Sequence, residues 1–253
     1  LYEYLGWKYP HTIHTGRVSL GETVLSKSKI KKGIDDKLFT GWDDPRLGTI
    51  TALRKRGFKP EAIIGIMQEI GAKTNDVNIS MEKIVSINKK LIDEESERFS
   101  FIQNPIDLEV EATPEMIAEK PIHPDFLEKG IKEYEIHAGR QHFSVNKELL
   151  EKIGVGKVFR LRHCFNAKLL SIGDLQSVAA FLDKTKIDVP IISWVAQPAD
   201  AVITMPDNSL TFGVIDADIL DKKKGDRVQL EQFGYAIIDS IEKGRAKLNF
   251  THE

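Results

Sequence analysis

The hydrophobic period of the chain changes at Arg98, and no single motif constrains the fold as much. Before it, apolar residues recur at helical spacing. Ile63, Ile66, Met67 and Ile70 share one face of a segment that Pro60 opens and Gly71 closes. Ile84, Ile87 and Leu91, with Met81 and Val85 beside them, make a stripe that begins after Ser80 and runs to about Glu97. A shorter helix carries Arg54, Lys55 and Arg56 between a Thr49 cap and Gly57. After Arg98 the period is two. Ile106, Leu108, Val110 and Ala112 alternate with charged residues, as in a half-buried strand. Short strands are expected again at 133–137, 158–163, 189–195, 201–205, 210–215, 227–232 and 247–250. One short helix, Lys147–Ile153, lies between Asn146 and Gly154. A helical first third followed by many short strands points to β-barrels or sandwiches behind a helical segment.

At 253 residues there is room for more than one domain. No run approaches the roughly 20 apolar residues of a membrane span, and Leu1–Trp7 lack the pattern of a signal peptide. With no initiator Met, the chain reads as starting inside a longer protein. Cys164 stands alone, which excludes an intrachain disulfide and fits a reducing, cytoplasmic setting. A common zinc site needs several Cys and His at close spacing. His11 and His14 would share a metal only on a helix, and Pro10 and Val18-Ser19-Leu20 point to loop or strand, so no metal site is expected. A formal charge of −2 argues against purely electrostatic nucleic-acid binding and leaves local clustering as the test.

Chemistry-bearing residues stand in several places. Residues 15–24 read as a hairpin turning at Gly21-Glu22. Leu25-Ser26-Lys27-Ser28-Lys29 then leaves it as a loop. Basic runs are ordinarily solvated, and the Gly-x4-Gly-Lys pattern of a phosphate loop is absent. Asp43, Asp44, Pro45 and Arg46 form a turn in which Asp44 reads as a structural cap. Arg54 and Arg56 face either phosphates or solvent. Arg160 and Arg162 are two apart on a strand, so they share one face while Phe159 and Leu161 enter a core. Paired guanidinium groups suit phosphates and unpaired bases. Gln229 and Glu231 share a face by the same alternation, with Gln232 opposite or at a bulge. Trp194 reads as core.

Several stretches carry a resemblance: "GWDDPRLGTITALRKRGFKPEAI" from Gly41, the serine/lysine segment before it, and "VFRLRHCFNAKLL", "PIISWV" and "VQLEQFGYAIIDS" after it. Together they resemble the glutamyl/glutaminyl branch of the class I aminoacyl-tRNA synthetases, in its archaeal and eukaryotic form. The family's Met-Ser-Lys-Ser signature is here Leu25-Ser26-Lys27-Ser28. Its His-x-Gly-His type signature is absent, so the chain resembles the C-terminal half of such an enzyme.

The resemblance implies an α+β multidomain fold. Residues 1–32 would end a catalytic domain and 33–97 would be a helical subdomain. Residues 98–150 with 226–253 would form a proximal antiparallel barrel that binds the anticodon, and 151–225 a distal one. It implies that Lys27 is catalytic, within an ATP-binding segment Leu25, Ser26, Lys27 and Ser28, with Lys29 as a lesser helper. It implies tRNA contacts at Arg46, Arg98, Arg160, Arg162, Gln229, Glu231 and Gln232. Glutaminyl members carry a basic residue where Gln232 stands, so reading of the third anticodon base departs from theirs. The activity implied is ligation of glutamate to tRNA through glutamyl-adenylate, with ATP and Mg2+. The partner implied is glutamate tRNA, with glutamine tRNA as a second candidate, and no membrane is implied. A glutamine–tRNA ligase, a non-catalytic RNA-binding module and a multi-barrel scaffold without RNA are the alternatives.

Overall fold

A computed structural model describes residues 1–21 and 23–253. The helices are Lys27–Asp35 (α1), Ile50–Lys55 (α2), Pro60–Ile70 (α3), Met81–Ile92 (α4) and Lys147–Ile153 (α5). The first strands are Val18–Leu20 (β1), Val77–Ile79 (β2), Glu97–Phe99 (β3), Phe101–Gln103 (β4), Pro105–Thr113 (β5), Met116–Pro121 (β6), Ile131–Ile136 (β7) and Gly139–Asn146 (β8). They continue as Val158–Leu161 (β9), Asn166–Ser171 (β10), Gln176–Asp183 (β11), Ile191–Ile192 (β12), Pro198–Thr204 (β13), Leu210–Asp216 (β14), Arg227–Leu230 (β15), Gly234–Glu242 (β16) and Arg245–His252 (β17). Among the described residues, no helix is long and apolar enough to cross a membrane.

In the helical part, the caps follow the sequence. The side chains of Thr49, Ser80 and Asn146 accept the first-turn N–H groups of Ala52, Lys83 and Leu149. Two expectations fail. The 15–24 hairpin is replaced by a parallel pair, Val18 to Leu20 against Val77 to Ile79, and Val24 bridges Leu47 instead. Glu22, the second turn residue of that hairpin, lies outside the described residues. Helix α4 stops at Ile92, short of Glu97, because 97–99 are taken up as strand β3. Its buried stripe is Ile84, Asn88 and Ile92, while Leu91 is exposed. Asn88 belongs to the buried face because it is satisfied there. Its Oδ1 accepts the Lys59 N–H at 2.8 Å, and its Nδ2 meets the His252 ring at 3.1 Å.

Beside the β1–β2 pair and an antiparallel β6–β7 hairpin, the strands form two larger sheets that each close on themselves. One has the order β12-β9-β10-β11-β5-β8 and is sealed where Ser144 and Val195 exchange both backbone hydrogen bonds, at 2.8 and 3.0 Å. The other has the order β3-β15-β16-β17-β13-β14-β4. Its two edge strands, β3 and β4, are consecutive in the chain. Ser100 between them is the corner that carries the chain from one edge to the other. Both barrels have cores built by alternation: Leu108, Val110, Phe143, Phe159, Leu161 and Trp194 in the first, and Phe99, Ile203, Ile215, Leu230, Ile238 and Leu248 in the second.

The barrels differ from those expected. Each contains parallel pairs, β5 with β11 and β9 with β12 in one, β3 with β15 and β13 with β17 in the other. Strands β5 and β8 to β12, within 105–192, make the first barrel, and strands within 97–103 and 198–252 make the second. Alternation marks a strand but not its partner, and closure brings together strands far apart in sequence. Alternation along β5 also ends early. Ala112 has φ +57° and is exposed, and Thr113 takes the buried place, because a register shift falls between Val110 and Thr113.

The helical part rests on the second barrel. Arg56 Nη2 donates to the Thr251 carbonyl at 2.9 Å, Arg227 Nε donates to the Gly57 carbonyl at 2.8 Å, and the Tyr235 hydroxyl makes a short hydrogen bond to Asp93. Arg56 is thus turned inward, away from solvent and phosphates, and burial pushes its guanidinium down to about 10.

Candidate nucleic-acid interface

The serine/lysine segment is the start of α1, not a loop. Ser26 is the N-cap in extended conformation and Lys27 is the first helical residue. Helix forms here because Ile30 and Ile34 are one turn apart and pack on Leu47, Ala52 and Phe39. The Ser26 hydroxyl makes no capping bond, and Ser26, Lys27, Ser28 and Lys29 are all exposed, as is Leu25. An ammonium group, two hydroxyls and the open N–H groups of a helix start therefore stand together, which suits an anionic ligand.

This segment is mounted on the turn that follows it. Asp44 is fully buried and accepts from the Thr40 N–H (2.9 Å), the Arg46 N–H (3.1 Å), Arg46 Nε (2.8 Å) and Arg46 Nη2 (2.7 Å). The Arg46 guanidinium holds the Asp44 carboxyl well below the usual carboxylate range. Arg46 also donates to the Leu38 carbonyl and lies over the Phe39 ring. Its donors are largely spent on the turn. Leu47 carries the bridge to Val24, and Gly48 abuts Thr23 and Leu25.

A second group of residues meets where the two barrels touch. β15 ends at Leu230, and Glu231 to Phe233 turn back with Gln232 at φ +60°. Glu231 and Gln232 both come within 3.4 Å of the Ser193 hydroxyl of the other barrel. Arg162 Nε stands 4.0 Å from Glu231 Oε2. The adjoining cleft, of about 380 Å3, has Phe101, Leu149 and Phe233 as apolar wall and Ser193, Glu231 and Gln232 as polar groups. A flat unpaired base with hydrogen-bonding edges is the kind of ligand such walls fit.

Other residues of the expected set lie apart from this group. Arg160 leaves β9 on the side away from the core, but its Nη1 donates to Asn166 Oδ1 (3.0 Å) and to the carbonyls of Lys184 (3.3 Å) and Thr185 (3.1 Å). Arg98 sits at the junction of α4 and the second barrel with its side chain 10% exposed, paired with Asp93 at 2.7 Å and bonded to the Ser96 carbonyl. Gln229 lies between Arg98 and Tyr235 in register. Trp194 is fully buried, as its pattern suggests. Sequence reading missed Ser193, Ser100 and Lys120. Lys120 had a signal: in Met116-Ile117-Ala118-Glu119-Lys120, alternation puts the lysine on the buried side with Ala118.

Among the described residues, no group of three or more His, Cys, Asp or Glu side chains is placed to hold a metal.

Comparison with known proteins matches residues 1–94 to the catalytic domain of class I tRNA synthetases (E and Q), and 96–183 to the anticodon-binding domain of the same class. A glutamate–tRNA ligase of Pyrococcus abyssi is 37% identical over 262 residues, covering 100% of this chain and 45% of that protein. One from Methanocaldococcus jannaschii is 38% identical over 94% of the chain and 43% of its own length, and one from Methanosarcina mazei 35% over 100% and 44%. The chain thus spans a little under half the length of these relatives. With two adjoining domain models of one family and relatives across its whole length, the chain belongs to the class I tRNA synthetases for glutamate and glutamine.

Proposed function

We propose that this chain is the tRNA-binding, signature-carrying part of a glutamate–tRNA ligase. The observation that carries this reading is the inter-barrel cleft, where Ser193, Glu231 and Gln232 converge with Arg162 beside Glu231, in a chain whose relatives are glutamate–tRNA ligases. In the whole protein, the glutamate carboxylate attacks the α-phosphorus of ATP, forming glutamyl-adenylate and expelling pyrophosphate. A terminal hydroxyl of tRNA then takes the glutamyl group and releases AMP. Negative charge grows on the phosphoryl oxygens in the first step. Lys27, with Ser26 and Ser28 at the start of α1, donates hydrogen bonds to that charge, and such donors act more strongly on the transition state than on the ground state. Leu25 and Gly48 set the position of the segment. Mg2+ would arrive on the ATP phosphates.

Arg162, Glu231 and Gln232 read anticodon bases in the cleft. Gln229 and Arg160 act from outside it, with Arg160 holding the carbonyls of Lys184 and Thr185. Arg98 and Arg46 act through the elements they brace. The test is ATP-dependent transfer of labelled glutamate by the full protein onto glutamate and glutamine tRNAs. Charging of glutamate tRNA is the expected result, and the second tRNA reports whether both are used. Transfer of glutamine alone would make the protein a glutamine–tRNA ligase. No transfer, with tRNA still bound, would leave an RNA-binding module.

A further inference from the structure

Lys120 is a buried charge at the joint of the two barrels. It belongs to β6, in the hairpin that covers the first barrel, and is 5% exposed. Its ammonium donates to the Trp194 carbonyl at 2.8 Å and to Ser100 Oγ at 3.1 Å. It lies 3.8 Å from the centroid of the Trp194 ring and 3.6 Å from Asp216 Oδ1. The carboxylate and the π face offset the loss of its hydration.

Hydrogen-bond direction makes this contact informative. An ammonium group has three donors and no acceptor, so Ser100 Oγ must accept from Lys120. The hydroxyl proton of Ser100 is then turned outward, to Glu231 Oε2 at 3.0 Å. A second route leaves from Trp194, whose Nε1–H donates to the Arg162 carbonyl at 2.8 Å. One buried ammonium therefore stands behind both members of the Arg162–Glu231 pair, one on each barrel. Arg162 Nε is itself buried and, among the described residues, has no hydrogen-bond partner; Glu231 Oε2 stands 4.0 Å from it.

We infer that Lys120 is a positioning residue for RNA recognition, acting on Glu231 through Ser100 and on Arg162 through Trp194. This rests on the reading of the inter-barrel cleft as the anticodon site. A lysine that only clamped the barrels together would affect stability and leave discrimination between anticodons unchanged.

The experiment measures affinity of the full protein for a glutamate tRNA transcript with anticodon UUC and for the same transcript with anticodon GGG. Ser100→Ala keeps Lys120 and removes only the relaying hydroxyl, so it decides the matter even if Lys120→Met folds poorly. The UUC/GGG preference should fall at least about fivefold in Ser100→Ala, the scale of losing part of one base contact, with GGG affinity within about twofold of wild type. Ser100→Ala added to Glu231→Gln should cause no further loss, since both act through one carboxylate. A Ser100→Ala protein with the wild-type preference, or additive losses in the double variant, would overturn the inference while the cleft reading stands. A wild-type protein without anticodon preference would overturn the cleft reading itself.

Discussion

Gly48 lies so close to Thr23 that a Cβ added to it would stand 2.4 Å from Thr23 Oγ1 and 2.8 Å from Leu25 Cδ2. The Thr23 hydroxyl is already bonded to the Leu20 carbonyl at 2.6 Å, so it has little freedom to withdraw. Gly48→Ala should therefore displace the 23–25 segment and with it Lys27. The expected outcome is slower glutamate-dependent exchange of pyrophosphate into ATP by the full protein, with tRNA affinity unchanged. Exchange at the wild-type rate would mean that the segment is positioned without this contact.

Lys27→Ala should lower the rate of adenylate formation by roughly 100- to 1,000-fold, as loss of one preorganised donor to developing charge does. The side chain is exposed and bonded to nothing among the described residues, so stability should be unaffected. Single-turnover adenylate formation is the measurement. A rate within about threefold of wild type would make this lysine an ordinary solvated one.

The sequence puts Arg160 and Arg162 on one strand face, but β9 ends at Leu161 and Arg162 opens the turn after it, and the two should behave differently. Arg162 stands beside Glu231, which lines the cleft, so Arg162→Ala should weaken binding by roughly 1–3 kcal/mol in an anticodon-dependent way. Arg160 holds the carbonyls of Lys184 and Thr185. Arg160→Ala should loosen that loop and weaken all tRNAs alike. Filter binding of anticodon-swapped tRNAs at several salt concentrations separates the two. Equal losses across anticodons for Arg162→Ala would place its contact on phosphate.

The joint between the helices and the second barrel should be sensitive to acid. Burial holds the His252 ring below its ordinary value, with the cations of Lys89 and Arg56 acting in the same direction. Its neutral ring meets Asn88 and packs on Phe58 and Tyr235. Because the folded value is depressed, the unfolded chain binds the proton first. This contribution to stability is complete above about pH 6.5, the value for an unfolded histidine. It is lost as pH falls through the folded value. His252→Gln keeps a hydrogen-bonding side chain and should flatten the fall in melting temperature below that pH. An unchanged slope would assign the acid sensitivity to other groups.

The sequence by itself determined the local elements whose signals lie within a few residues. Thr49, Ser80 and Asn146 cap helices as read, Gly71 and Gly154 end them, and Phe159, Leu161 and Trp194 are core, because caps and periodicity act over one or two turns. It also determined the family, through "GWDDPRL" and the serine/lysine signature before it. Only the tertiary structure decided which strands share a barrel, since pairing joins residues as distant as Val18 and Val77 or Gln229 and Arg98, and alternation carries no information about partners. It also decided which arginines are spent. Arg46, Arg56 and Arg98 look alike in sequence to Arg162, but the first three are taken up by Asp44, the Thr251 carbonyl and Asp93. Arg162 is left at a joint made by two closed sheets. Whether a guanidinium reads a ligand or braces the fold depends on which acceptors close the space around it, and those acceptors come from parts of the chain that only folding brings near.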